Sequence, residues 1–188
     1  MRIVGGQFRG RAIVSPASDA TRPTSDRVRE AIFNILAHGL PGFALTGAKV
    51  LDLFAGTGAL GLEALSRGAS YCMFVDDDAD ARGVIRENVE ALGLTGVTKV
   101  FRRDASDLGD AGRYAGFSLV FLDPPYDKGL AERALQSAAA GGWLVPGAIA
   151  VIEERKGVDV PLPSGFERVD ARAWGDTEVV FARYGASL

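Results

Sequence analysis

Cysteine and histidine are almost missing from the 188 residues: there is one of each, Cys72 and His38. A lone thiol cannot close an internal disulfide, and without a Cys/His cluster nothing in the sequence signals a metal. Within the apolar run YCMFV, Cys72 reads as a small core residue. Long apolar runs are missing too, and none approaches the roughly 20 residues needed to cross a bilayer. The opening stretch MRIVGGQFRGR lacks the apolar segment of a secretory signal. These absences lead to the expectation of a cytoplasmic protein with no membrane partner. Internal repeats and low-complexity tracts are likewise not seen.

What is present describes a globular chain with a sizeable core, 47% hydrophobic and 24% charged, of a length that suits one domain. The net charge of −3 is unevenly spread. Residues 1–36 carry six arginines against Asp19, Asp26 and Glu30, a net of +3, while the remainder nets −6. A basic arm on an acidic body suits an anionic partner met by one surface; solvated arginines on a terminal hairpin are the alternative on charge alone.

The Gly-Gly pair and Gly10 between short β-prone pieces predict a small hairpin in residues 2–14. Val28, Ile32, Ile35 and Leu36 recur at helical spacing in SDRVREAIFNILA, with Thr24, Ser25 or Asp26 available as the cap. From residue 49, strands (KVLDLFA, YCMFV, TKVFRR, FSLVFL, AIAVIEE) alternate with helices (ALGLEALSRG, DADARGVIRENVEALG, LAERALQSAAAGG), and FERVDARAW and TEVVFARY read as a final hairpin. Such alternation predicts a mostly parallel sheet with helices on both faces, binding its ligand beyond the carboxyl ends of the strands.

Four strand ends carry candidate residues. VLDLFAGTGALG sets Gly56, Gly58 and Gly61 at G-x-G-x-x-G spacing, a weak signal alone. Asp52, four residues before the first glycine, would repel a pyrophosphate but suits a ligand with a cationic amino-acid end and no phosphate, such as S-adenosylmethionine. Asp76 follows Gly56 by twenty positions, the usual offset for an acid accepting from ribose hydroxyls, and one of Asp77 and Asp78 is available as a helix cap. Asp104 and Ala105 can read an adenine's exocyclic amine and a ring nitrogen, while Asp107 and Asp110 can equally be capping or solvated acids. FLDPPYDKG sets a carboxylate, a stiff Pro-Pro corner and an aromatic at the end of the fourth strand. Two fixed acceptors, the Asp123 carboxylate and the Pro124 carbonyl, would hold both N–H bonds of an exocyclic base amine and aim its lone pair at a methyl sulfonium. Tyr126 would supply a face for a splayed-out base.

With RIVGGQFRGR, TRPTSDRVREAIFNIL, VLDLFAGTGALGLEALSRGA and VFLDPPY, the chain resembles the class I S-adenosylmethionine-dependent methyltransferases with a D/N-P-P-Y/F motif, specifically the 16S ribosomal RNA guanine-N2 methyltransferase family of the RsmD type. The resemblance implies a Rossmann-like α/β fold, a mostly parallel seven-stranded sheet with a C-terminal antiparallel hairpin. It also implies a basic β-hairpin arm over residues 1–22 and a methyltransferase domain over residues 23–188. The reaction implied is methyl transfer to the N2 amine of a guanine in 16S rRNA, releasing S-adenosylhomocysteine. Asp123, Pro124 and Tyr126 would meet the base, and Asp52, Gly56, Gly58, Asp76, Asp104 and Ala105 the cofactor. Thr24 or Arg27 would meet the cofactor's carboxylate. Arg2, Arg9, Arg11 and Arg22 would bind RNA phosphates. So short a chain has little room for a target-reading domain, so the expected substrate is an assembled or late-assembling small ribosomal subunit, and the expected state a monomer.

Three rival readings share some of these residues: a DNA adenine or cytosine amine methyltransferase, a nicotinamide-dependent oxidoreductase, which Asp52 opposes, and a non-catalytic RNA-binding module, which intact Asp52, Asp123 and Tyr126 oppose. His38 reads as a helix-end dipole partner, Trp143 and Trp174 as packing residues, and the Glu153-Glu154-Arg155-Lys156 run as a solvated strand end. Glu63, on the first crossover helix, is placed where it can face the cofactor but is given no role.

Overall fold

The computed structural model describes residues 1–16, 24–125 and 129–185. Tyr126 and Arg22 therefore lie outside the described residues. Helix α1 (Asp26–His38) is capped by Ser25, whose Oγ accepts from the Val28 amide at 3.2 Å, and it buries Val28, Ile32, Phe33 and Leu36. Strands β1 (Lys49–Leu53), β2 (Tyr71–Val75), β3 (Thr98–Phe101), β4 (Phe117–Leu122) and β5 (Leu144–Arg155) alternate with helices α2 (Ala59–Ser66), α3 (Ala79–Ala91) and α4 (Leu130–Ala140). Strands β6 (Phe166–Trp174) and β7 (Thr177–Tyr184) close the chain.

The sheet has seven strands in the order β3-β2-β1-β4-β5-β7-β6. Pairs among β1 to β5 are parallel, and β7 runs antiparallel between β5 and β6. This is the expected Rossmann-like class I architecture, whose strand order reverses between β1 and β4. Because both faces are covered, the central strands read as continuous apolar runs rather than as alternating ones. Side chains still alternate between two cores: Val50, Leu119, Phe121, Ile149 and Val151 pack with α1, α2 and α3, whereas Leu51, Val120, Leu122, Ala150 and Ile152 pack with α4 and Trp143. Each fully buried Leu, Ile or Phe contributes about 1.5–3 kcal/mol.

Strand β5 is longer than AIAVIEE predicts, since it starts at Leu144 and carries an irregularity. Phe117 pairs with Leu144 and Leu119 with Ile149, so β4 advances two residues while β5 advances five. The detour contains Pro146, which has no amide to donate, and Gly147 at φ 86°. Beyond it the register runs unbroken to Leu122 opposite Ile152. The first residues form a tight hairpin with a single antiparallel bridge, Arg2 to Ala12. No described helix is long and apolar enough to cross a membrane.

Candidate active site

At the end of β1 the chain reverses sharply: Phe54 has φ 55°, Gly56 φ 59° and Gly58 φ 80°. A positive φ at phenylalanine is uncommon and costs on the order of 1–3 kcal/mol, so the surrounding contacts hold the turn in this form. Gly61 answers a different need. A Cβ there would lie 2.5 Å from Phe74 Cε1 and 2.6 Å from Cys72 Sγ, so glycine lets α2 approach the sheet. Close approach brings the Gly61 amide to Asp52 Oδ2 at 3.0 Å. The Asp52 carboxyl is only 2% exposed. Burial, with the Asp76 charge adding to it, pushes its pKa up to about 8 against the opposing Gly61 hydrogen bond.

Asp76 leaves β2 beside this turn and accepts from the Gly56 amide at 2.9 Å and the Asp78 amide at 3.0 Å. Burial raises its pKa, the two amides pull it down, and Asp77 and Asp78 add repulsion. Both oxygens keep spare lone pairs for hydroxyl donors. Asp78 is the cap of α3, accepting from Ala81 at 3.1 Å, which separates the roles of the Asp76-Asp77-Asp78 run. Past β3, Asp104 is exposed and accepts from the Ser106 hydroxyl at 2.7 Å and its amide at 2.9 Å; these bonds, the hydroxyl first, lower its pKa. Ala105 is buried.

Asp123 follows β4, half-buried, with Pro124 buried and Pro125 exposed. By strand alternation it projects, like Asp52, toward the α1 side of the sheet. Its pKa is held well above the usual carboxylate range, by burial first and then by the charges of Glu153, Asp52 and Glu154. Sequence reasoning missed this neighbourhood. Glu153 and Glu154 are 5% and 7% exposed, so the EERK run does not begin as a solvated strand end. β5 outruns β4 here, and β7 pairs along these residues, Glu153 with Val179 and Glu154 with Glu178. Glu153 Oε2 accepts from Thr24 Oγ1 at 2.8 Å, and burial raises its pKa against that bond.

The N-terminal hairpin is tied to the same region by buried polar groups that carry no motif. Glu63, fully buried on α2, accepts from the Val4 and Gly5 amides at 2.9 Å and pairs with Arg29 at 3.2 Å and Arg67 at 3.0 Å. Gly6, at φ 79°, rests on the end of α2, where a Cβ would lie 2.1 Å from the Ser66 carbonyl oxygen. Asn88 on α3 bonds both backbone groups of Val14 and also donates to the Thr57 carbonyl in the glycine turn at 3.0 Å. Of the basic candidates, Arg2 pairs with Asp26 at 3.0 Å and Arg11 donates to the Ala91 carbonyl at 2.9 Å. Arg9 and Arg27 are exposed, the latter in the first turn of α1. A groove of about 570 Å³ between α4 and the loop after Asp104 is lined by Ser106, Asp107, Arg133 and Gln136, and by none of the candidate residues.

A family model described as conserved hypothetical protein 95 matches residues 1–183. Over 153 residues the chain is 39% identical to ribosomal RNA small subunit methyltransferase D of Escherichia coli K12, covering 81% of this chain and 74% of that one. The chain belongs to this family, the RsmD-type methyltransferases. The structure of yhhF from Escherichia coli superposes on this RsmD-type chain with a TM-score of 0.83 at 32% identity, covering 100% of this chain and 99% of that one. An RNA methyltransferase from Salinibacter ruber, solved with S-adenosyl-L-homocysteine, shares the fold at a TM-score of 0.64 and 16% identity, over 89% of this chain and 96% of that one.

Proposed function

We propose that the protein transfers a methyl group from S-adenosylmethionine to the N2 amine of a guanine in 16S ribosomal RNA. The observation that carries the reading is that Asp52 and Asp76 hold the glycine turn while Asp123 leaves the adjacent strand end, where Leu53 pairs with Leu122, at the sheet's reversal point. The names of its relatives supply the RNA class. Buried acids whose ionisation is suppressed suit a ligand that brings positive charge and N–H donors, which lets them ionise; a pyrophosphate would add a further anion beside them and suppress ionisation still more. S-adenosylmethionine meets both conditions, and when bound it supplies a methyl group activated by a sulfonium. Asp52 would hold the amino-acid end, Asp76 the ribose, and Asp104 with Ala105 the adenine. Gly56 leaves open space above the turn: a Cβ there meets only the Phe54 carbonyl oxygen, at 4.0 Å.

At the target, Asp123 and the Pro124 carbonyl accept the two N–H bonds of the amine and keep its lone pair directed at the methyl carbon. Tyr126 stacks on the base. As the N–C bond forms, the sulfonium–methyl bond breaks to leave S-adenosylhomocysteine. The positive charge that grows on nitrogen would be stabilised by the Asp123 carboxylate, which would take the displaced N–H proton or pass it to solvent. In this reading the hairpin arginines and Arg22 contact phosphates of an assembled or late-assembling small subunit, and the enzyme acts as a cytoplasmic monomer. Tritium transfer from labelled cofactor to small-subunit RNA from a strain lacking the protein, followed by nucleoside analysis, tests the reaction. N2-methylguanine is the expected product; a methylated adenine or cytosine overturns the reading. Asp123→Ala is expected to lose transfer while retaining affinity for S-adenosylhomocysteine.

A further inference from the structure

A guanine N2 amine does not arrive alone. Its neighbour on the same edge is the ring N1–H, so guanine presents donors side by side. Adenine and cytosine set an acceptor nitrogen beside their exocyclic amine. A site that satisfied only the amine would leave the guanine N1–H unpaired on binding, at a cost, and would not select against the other bases.

The sheet supplies a second acceptor in the right place. Leu122 pairs with Ile152, the last pair of strands that run about 4.8 Å apart. Asp123 and Glu153 therefore leave that pair side by side, and Glu153 is the largest charge acting on Asp123. Phe121 and Val151 pack in the α1-side core while Leu122 and Ile152 pack in the other, so Asp123 and Glu153 project from the same face. Glu153 is 5% exposed, and its Oε2 is fixed by the Thr24 hydroxyl at 2.8 Å. Its other oxygen, Oε1, has no donor among the described residues. Asp52 lies on the same face one strand further on, already engaged by the Gly61 amide, and Glu154 accepts from the Arg155 amide instead.

We propose that Glu153 is a specificity-determining residue that accepts the N1–H of the target guanine while Asp123 and Pro124 hold its N2 amine. The proposal rests on the guanine-N2 reading above. Thr24, in this role, orients the Glu153 carboxylate, joining the segment before α1 to base selection.

The probe is 2-aminopurine, which keeps the N2 amine but carries an acceptor at N1. It is built into small-subunit RNA at the mapped position by splinted ligation, and the subunit is reconstituted. Single-turnover methyl transfer to guanine and to 2-aminopurine is then compared for wild type and Glu153→Gln, with S-adenosylhomocysteine affinity measured by calorimetry. The loss of O6 in the analogue is common to both enzymes, so the change in preference between them reports N1. Wild type is expected to favour guanine by about 100-fold or more. In Glu153→Gln, whose amide N–H can donate to N1, that preference is expected to fall below about 10-fold with cofactor affinity unchanged. Equal wild-type rates on the two bases overturn the proposal even if the variant does not fold. So does a preference unchanged in the variant, or a loss of S-adenosylhomocysteine affinity that accounts for the whole effect. Absence of N2-methylguanine from the wild-type product removes the underlying reading as well, which separates the two failures.

Discussion

Replacing Asp52 by asparagine should make the ligand-free protein more stable at neutral pH and at the same time weaken its grip on the cofactor. The folded-state pKa of Asp52 is raised from its ordinary 3.8 to about 8. Between those values the native state keeps a proton that the unfolded chain has released, so stability falls as pH rises through the window. The slope is about 1.4 kcal/mol per pH unit for one proton, which accumulates to a ceiling of about 4 kcal/mol by pH 7. Asparagine has the same shape, and its amide oxygen can accept from the Gly61 amide as Asp52 Oδ2 does at 3.0 Å, but it carries no charge to desolvate. Calorimetric melting of both proteins from pH 5 to pH 7 checks this. The advantage of the variant should widen by up to about 3 kcal/mol over that range, or roughly 6–12 °C in Tm for a chain of 188 residues. S-adenosylhomocysteine, whose ammonium compensates the carboxylate, should raise the Tm of wild type far more than that of Asp52→Asn. A pH-independent gap, or a variant less stable throughout, would refute the reasoning.

Gly61→Ala drives a methyl group against Phe74 and Cys72 and separates Asp52 from its amide, so it should cost about 1–3 kcal/mol, read as a lower Tm. Gly6→Ala cannot keep φ 79° against the Ser66 carbonyl; hydrogen exchange should show lost protection at the Gln7 and Phe8 amides, which bond Ser66, with the central strands unchanged. Asp78→Ala removes the α3 cap and should cost about 1 kcal/mol in denaturant unfolding, without altering the Asp76 contact to Gly56.

The sheet was legible because its strands are buried runs bounded by glycine and acids, and the acids at their ends announce themselves by position. Asp52, Asp76 and Asp123 each follow an apolar segment, and in the structure all three adjoin the glycine turn or its neighbouring strand end. Glu153 was hidden for the opposite reason. In EERK it stands among charges that read as solvent-facing, and only the pairing of β7 along β5, which sets Glu153 beside Val179, makes it interior. Glu63 and Asn88 were unreadable in a similar way, because their partners lie 58–59 and 74 residues away and the hairpin must fold back before either is satisfied. The β5 start was misread because Pro146 and Gly147 look like a loop, while the structure threads them into the strand as its irregular stretch.

That irregular stretch acts as a ruler. Each residue from Ile149 to Ile152 takes its partner on β4 from the length of chain spent between Leu144 and Ile149. Because side chains alternate sides, one added residue there would put Ile152 opposite Asp123 and swing the Glu153 carboxylate toward the α4 layer. Lengthening this short detour by one would therefore put an oil-like side chain beside Asp123 in place of an acid.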